Sequence, residues 1–541
     1  MKNKFIATVI TYITIHASLF CQPSFQKKFE STFPVNTKWR VHNNKLTIAI
    51  AGDLQELAGI DLITGKLLWS FSFKDKLGIK KVNDWNLNKD NNVVTIKYDS
   101  DIKGKEITKW INAHDGNILD ENAYAEIKTN KKKNNTPLAE ENSKKEYKTT
   151  KKKGKIKKTS LKHNGNLIQI SFDKKLLTGA IKAKNTKATI TCSGKSNWTK
   201  EIDVQVIRPL CSISFSSSMF GEDFLEITAY KDKLFVLYEG ITVMDINSGD
   251  VVWSAGFSNS YFDFGIFKSV QELGRAAWPL PHEDFVYVVD LNDYERCIKK
   301  LDINTGALIW RSEKFSKGAV IPELLIEKNI LLVKCGGKIE KQSYIPGVEG
   351  RPDVCKKEFK YSGDFGLKAL DINTGKTVWQ TFNNKELEDK FSSQITNMLV
   401  YDSKVYIGSD KNIFCFESSN GKVLFKIKAS DWKIGKPYEI WDYDEQLIIQ
   451  SEKGLSSINL LNGSQNWVTK TKLCLSSFFV GDAFFVINGK SEEEQNAFIR
   501  LDINSGKILG NITKTTYPYF TEDGEEFIKY DGQKVLRYKT Q

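Results

Sequence analysis

The chain has 541 residues, 12% of them aromatic and only 11 of them proline, long enough to bury a large core in one β-rich body. Its formal net charge of +13 is concentrated in one place: residues 129–160 hold 12 lysines and 3 glutamates, which leaves about +4 for everything else. That distribution excludes a basic face for nucleic acid, and the lysine stretch has a single aromatic, Tyr147, on which a base could stack.

In chain order, Met1-Lys2-Asn3-Lys4 is basic, Phe5 to Phe20 is largely apolar, and Cys21-Gln22-Pro23 follows. This reads as a secretory signal peptide over residues 1–21, too short and too poorly flanked for a stable span. Cleavage near Cys21 is preferred over lipid anchoring at Cys21, because bulky Phe20 fills the place where a lipidation motif has a small residue. The expected location is periplasmic, envelope-associated or secreted. No later segment reaches 18 uninterrupted apolar residues.

Residues 22–541 read as one repeating body. The clearest unit is LDINTGALIW, Leu301 to Trp310. Alternating Leu301 and Ile303 close a strand, Asn304-Thr305-Gly306 turn the chain, and Ala307 to Trp310 open the returning strand. Glycine supplies the positive φ of the turn, and the short polar side chains meet loose backbone groups. Copies centre on Gly65, Gly249, Gly375, Gly421, Gly463 and Gly506, with weaker ones at Gly116 and Gly194. Tryptophan stands four places after the glycine in six of the nine, against about 0.2 from composition. The last four glycines are 46, 42 and 43 residues apart, a period suited to one small antiparallel sheet.

Between these units lie three insertions. Residues 129–160 form a solvated, lysine-rich segment suited to contact with an anionic surface. Residues 254–282 carry Tyr261, Phe262 and Trp278 as a candidate binding loop, with packing on a sheet edge as the alternative. Residues 335–355 form a loop whose base Cys335 and Cys355 are placed to staple, a constraint worth ~3 kcal/mol. Phe25 to Phe33 and the Asp531-Gly532 hairpin near the C-terminus are expected to share one composite sheet that closes the free edges.

The repeat is identified as a member of the PQQ-like (pyrroloquinoline-quinone-type) β-propeller repeat family, whose signature is an aliphatic-Leu-Asp-x-x-Thr-Gly-x-x-x-Trp hairpin; residues 301–310 and 370–379 match it almost letter for letter. The resemblance implies an all-β fold, a single closed β-propeller of four-stranded blades with inserted loops. Eight blades are favoured within a range of seven to ten. It also implies that Trp69, Trp253, Trp310, Trp379 and Trp467 pack between neighbouring blades. The family contains quinone-dependent dehydrogenases and a BamB-like non-catalytic branch.

Chemistry is hard to find in the residues. There is no adjacent cysteine pair and no Cys-x-x-Cys-His, the five histidines have no metal-ligand spacing, and the Asp residues of the turns already have a backbone role. Gly194-Lys195-Ser196 lacks the earlier glycine of a phosphate loop. No catalytic, cofactor or metal residues are assigned, and no cofactor is expected. The reading is an exported non-catalytic propeller, monomeric, that binds another envelope or secreted protein. The alternatives are a PQQ-dependent dehydrogenase-like oxidoreductase, which would need PQQ with calcium, and a glycan-binding surface protein.

Overall fold

The computed structural model describes residues 26–539 apart from 33–37, 42–47, 89–91, 101–105, 126–158, 173–183, 207–225, 239, 258–260, 265–267, 293–294, 346–353, 383–390, 392–394, 490–495, 516–517, 522–524 and 532–533. The signal segment with Cys21, and all but the last two residues of the 129–160 stretch, therefore lie outside the described residues.

Local chemistry makes the hairpins. In the 301–310 copy the Asp302 carboxylate accepts from the backbone N–H of Asn304 (2.9 Å) and Thr305 (2.8 Å) and from the Thr305 hydroxyl (2.9 Å). Gly306 N–H then donates to Asp302 O at 2.9 Å, with Gly306 at φ 70°. The same carboxylate-capped turn recurs at Asp61, Asp245, Asp371 and Asp502, with Asn459 as a neutral version. The preceding turn of each unit is equally tight: Asp402 and Ser403, and again Asp444 and Glu445, all sit at positive φ, as a two-residue hairpin loop requires.

The fold is all-β, of β-propeller type, and its described residues form ten antiparallel sheets. Two compact units divide the chain. The first contains sheets at 38–72, 84–119 and 474–515, and a composite sheet in which Gln26–Thr32 pairs with Lys534–Lys539. The second contains sheets at 159–206, 226–256, 280–311, 323–380 and 399–428. A sheet at 437–470 completes the ten. Ten sheets among the described residues stand at the upper end of the expected range of seven to ten, above the favoured eight. The weak copies at Gly116 and Gly194 each close a full sheet, because their apolar positions are kept even though the signature is not: Val94, Ile96 and Ile111, and likewise Ile168, Ile190 and Val204, are buried.

In the regular sheets the middle two strands are the most deeply buried, as at Lys233–Tyr238 and Phe285–Asp290. Alternate faces of such strands pack on the sheets either side, so runs like FVYVV are apolar without a period of two. The two ends of a sheet differ. One end carries the tight turns just described. The other carries the hairpin between the middle strands and the link to the next sheet, and there every insertion falls.

Two of those insertions are not separate loops. Ile330–Ile345 and Val354–Asp371 are 16 and 18 residues long, and after an irregularity between Cys335 and Gly337 they run on beyond their own sheet as paired arms. Ser269–Leu273 pairs with the first arm from Ser269 opposite Tyr344 to Leu273 opposite Glu340, and Tyr261–Phe264 pairs with Ser269–Leu273. The 254–282 and 335–355 segments together build one added four-stranded layer. This geometry also corrects the staple. Cys335 lies opposite Gly366 while Cys355 lies opposite Tyr344, nine ladder positions away or ~30 Å. Cys335 is a free buried thiol, and Cys355 is disulfide-bonded elsewhere.

Candidate functional site

Each repeat tryptophan is used in the same way. The Trp253 indole N–H donates to Ile303 O (2.8 Å), Trp310 to Ile372 O (3.0 Å), Trp379 to Ser418 O (2.8 Å), Trp69 to Ala113 O (2.9 Å) and Trp467 to Ile503 O (3.0 Å). All five are at least nine-tenths buried. The accepting carbonyl is always three residues before the turn glycine of the next sheet, and that glycine lies flat under the ring; a Cβ on Gly306 would stand 2.7 Å from Trp253. Trp198, in a weak copy, repeats the bond to Ile246 O at 2.8 Å. Where the repeat has Phe425 instead, Tyr406 of the same sheet donates to the equivalent carbonyl, Leu460 O, at 2.5 Å. These residues are joints between sheets and leave no reactive group exposed.

The aromatic candidates are not gathered. Tyr261 and Phe262 lie on the outermost strand of the added layer, opposite Glu272 and Gln271, and their side chains are outside what is described. Trp278 lies beyond that layer and is partly buried against the cluster of Trp253, Phe257 and Val286.

The added layer presents two outer strands, Tyr261–Phe264 and the outer half of Val354–Asp371. Thr377–Gln380 pairs with the latter only at Leu370, Ala369 and Lys368, and Thr381 N–H closes on Leu367 O at 2.9 Å. Outward of Gly366, residues 354–362 form a sheet edge among the described residues. It exposes Val354 (52%) and Phe359 (67%), with the Lys338 ammonium 4.9 Å above the Phe359 ring.

At the root of this edge is a 480 Å³ cleft, within the range of ligand and side-chain pockets. Phe315, Phe365, Phe382 and Phe391 give it an apolar wall, and Cys335 forms part of the lining. Burial pushes the Cys335 thiol up to about 12, with Asp364 adding to the effect and Lys368 opposing it. The Lys368 ammonium, one-tenth exposed, pairs with Glu313 at 3.3 Å and sits 5.2 Å over the Phe315 ring. Asp364 accepts from the Ser316 hydroxyl. Sequence reading missed this cleft. Its one local signal is the glycine cluster Gly336, Gly337, Gly363 and Gly366, where strand glycines mark an irregular, closely packed ladder.

Residues 363–509 match the family model described as outer membrane protein assembly factor BamB. Over that stretch the repeats are of the PQQ-like type. Among solved structures, BamB from Moraxella catarrhalis is similar over 72% of this chain and 95% of that one, at 13% identity and TM-score 0.38. Dihydro-heme d1 dehydrogenase NirN in complex with DHE is similar over 66% and 72%, at 10% identity and TM-score 0.34. No curated protein matches the chain. The repeats of this chain thus carry turns and indoles that build sheets, while the added layer is built by its insertions. A calcium-held quinone needs a cluster of acidic ligands, and among the described residues no group of three or more His, Cys, Asp or Glu gathers in that way.

Proposed function

We propose that the protein is an exported, non-catalytic propeller that binds another envelope or secreted protein, and that the added layer is where it does so. The observation that carries this reading is the added layer itself, whose strand at 354–362 is outermost among the described residues and bears an exposed Phe359. An exposed edge offers main-chain groups to an incoming extended segment, and side-chain pockets beside it select which segment fits. Insertions mounted on a fixed scaffold are where folds of this kind place recognition. The match of residues 363–509 to an assembly-factor family supports a scaffold role rather than turnover. Export rests on the signal segment 1–21, and contact of residues 129–160 with an anionic surface is a secondary part of the same proposal.

The test replaces residues 338–361 by a two-residue Asn-Gly turn and compares native-envelope partners recovered with the full chain and with the shortened one. Loss of a specific partner with unchanged unfolding of the remaining sheets is expected. Unchanged recovery, or stoichiometric uptake of PQQ with calcium by the purified chain, would overturn the proposal.

A further inference from the structure

We infer that Gln26–Thr32 is a strap that locks the composite sheet to the sheet at 38–72 by charge: Lys28, Glu526 and Arg537 form an ionic latch that ends on Leu62 O, where other joints use an indole. Ladder positions show the exchange. Trp310 stands opposite Lys300 on the neighbouring strand, and Trp379 opposite Ala369. In the composite sheet the matching place, opposite Arg537, belongs to Phe29, and a phenylalanine ring has no N–H to donate. Leu62 precedes Gly65 by three residues, as the accepting carbonyls of the other joints precede their glycines. Its donor is Arg537, whose Nη1 reaches Leu62 O at 2.5 Å. The reach has a precedent, since Lys300, at the same ladder place, donates to Ile372 O at 3.0 Å beside Trp310.

The latch is longer than one bond. Arg537 Nε donates to Glu526 Oε2 at 2.5 Å, and Glu526 Oε1 also receives the Lys28 ammonium from the strap. A guanidinium carries its donors in a fixed fork, so it can hold a carboxylate and a carbonyl together, which an ammonium does less well. The Arg537 and Glu526 side chains are 12% and 14% exposed, against 43% for Lys28. The inner pair is therefore shielded, and the strap end of the chain lies open to water. Apolar packing at this joint is thin: Ala49, Ala51, Ile60 and Leu62 cluster with Ile528 and Val535. The joint between the sheets at 38–72 and 84–119 buries Trp69, Phe71, Phe73 and Trp85 instead. Among the described residues the strap is the outermost strand of its sheet, paired with Lys534–Lys539 through a ladder that is irregular between Lys27 and Phe29. It can lift off without opening another ladder, and in doing so it takes Lys28 from Glu526 and loosens the hold of Arg537 on Leu62.

Hydrogen exchange of the full chain, followed by mass spectrometry, reads this joint through the amides of 57–62 and 535–538, with 498–501 as reference. Arg537→Met should speed exchange of both stretches about tenfold and leave the reference unchanged. Arg537→Lys keeps the charge without the fork and should not restore protection. Phe29→Trp added to Arg537→Met sets an indole at the ladder place used by the other repeats and should recover most of the loss. Lys28→Met should also loosen 57–62, and together with Arg537→Met by less than the product of the two separate factors. Protection at 57–62 untouched by Arg537→Met, full protection in Arg537→Lys, no recovery with Phe29→Trp, or simple multiplication of the Lys28→Met and Arg537→Met factors would each overturn the latch. Should Arg537→Met leave too little folded chain to measure, Lys28→Met at the exposed end carries the test: 57–62 and 535–538 must loosen together, and loosening of 535–538 alone overturns the latch.

Discussion

The exchange of roles between Trp and Tyr at the sheet joints gives a sharp test of how the repeats hold together. Leu460 O is buried beside Phe425, a ring with no donor, and receives the Tyr406 hydroxyl at 2.5 Å instead. Tyr406 is fully buried and its ring centroid lies 6.2 Å from that of Phe425. Tyr406→Phe removes this donor and leaves a desolvated carbonyl, which costs about 1–3 kcal/mol. Phe425→Trp alone forces an indole against the Tyr406 hydroxyl and should cost about 1–3 kcal/mol by overpacking. Combined, the indole N–H occupies the place vacated by the hydroxyl, as in the other repeats, so the double variant should be more stable than Tyr406→Phe. Hydrogen exchange of the 404–408 amides reads local opening at this joint directly. Additive losses in the double variant, or a Tyr406→Phe protein with unchanged protection, would refute the reasoning.

Three further outcomes follow from the same geometry. Gly306→Ala places a Cβ 2.7 Å from the Trp253 ring at φ 70°, and strain plus overpacking should cost about 2–5 kcal/mol; urea unfolding equal to the unmodified chain would contradict it. The Asp371 carboxyl is held below the usual carboxylate range, first by the Thr374 hydroxyl and then by the Thr374 and Asn373 N–H groups against the opposing effect of burial. A depressed folded pKa means stabilisation that is present above the unfolded value, near ~4, and is lost as pH falls through the folded one. Asp371→Asn should therefore flatten the acid limb of the unfolding midpoint below about pH 5, and an unaltered limb would contradict it. Burial pushes the Cys297 and Cys415 thiols up to about 11, with Tyr406 and Lys404 opposing the effect at Cys415 and Lys299 opposing it at Cys297. Both, with Cys335, should resist alkylation at neutral pH until the chain unfolds; mass-resolved labelling of the folded protein would show otherwise.

The hairpins were legible because their chemistry is local. An Asp or Asn that caps its own turn, a glycine at positive φ and a trailing indole fall within ten residues, so the sequence announces them one by one. The sheets at 84–119 and 159–206 were undercounted because burial preserved Val94, Ile111, Ile168 and Ile190 while the turn signature decayed. The added layer was invisible for a different reason: pairing of Ser269–Leu273 with Glu340–Tyr344 joins residues some seventy apart, and no local pattern encodes a partner at that distance. The cysteines mislead similarly, since their spacing says nothing about a ladder that carries Cys335 and Cys355 to opposite ends of an arm. The cleft exists only once Phe315, Phe365, Phe382 and Phe391 converge.

The most direct measurement places a photo-crosslinking amino acid at position 359, on the outer strand of the added layer, and at Ile309, another exposed apolar position, on the Leu308–Arg311 strand, in the exported chain within its native envelope. A discrete crosslinked partner from position 359, absent from position 309 and lost when 338–361 is shortened, is the expected result. Crosslinks from position 309 with none from position 359 would contradict docking on the added layer.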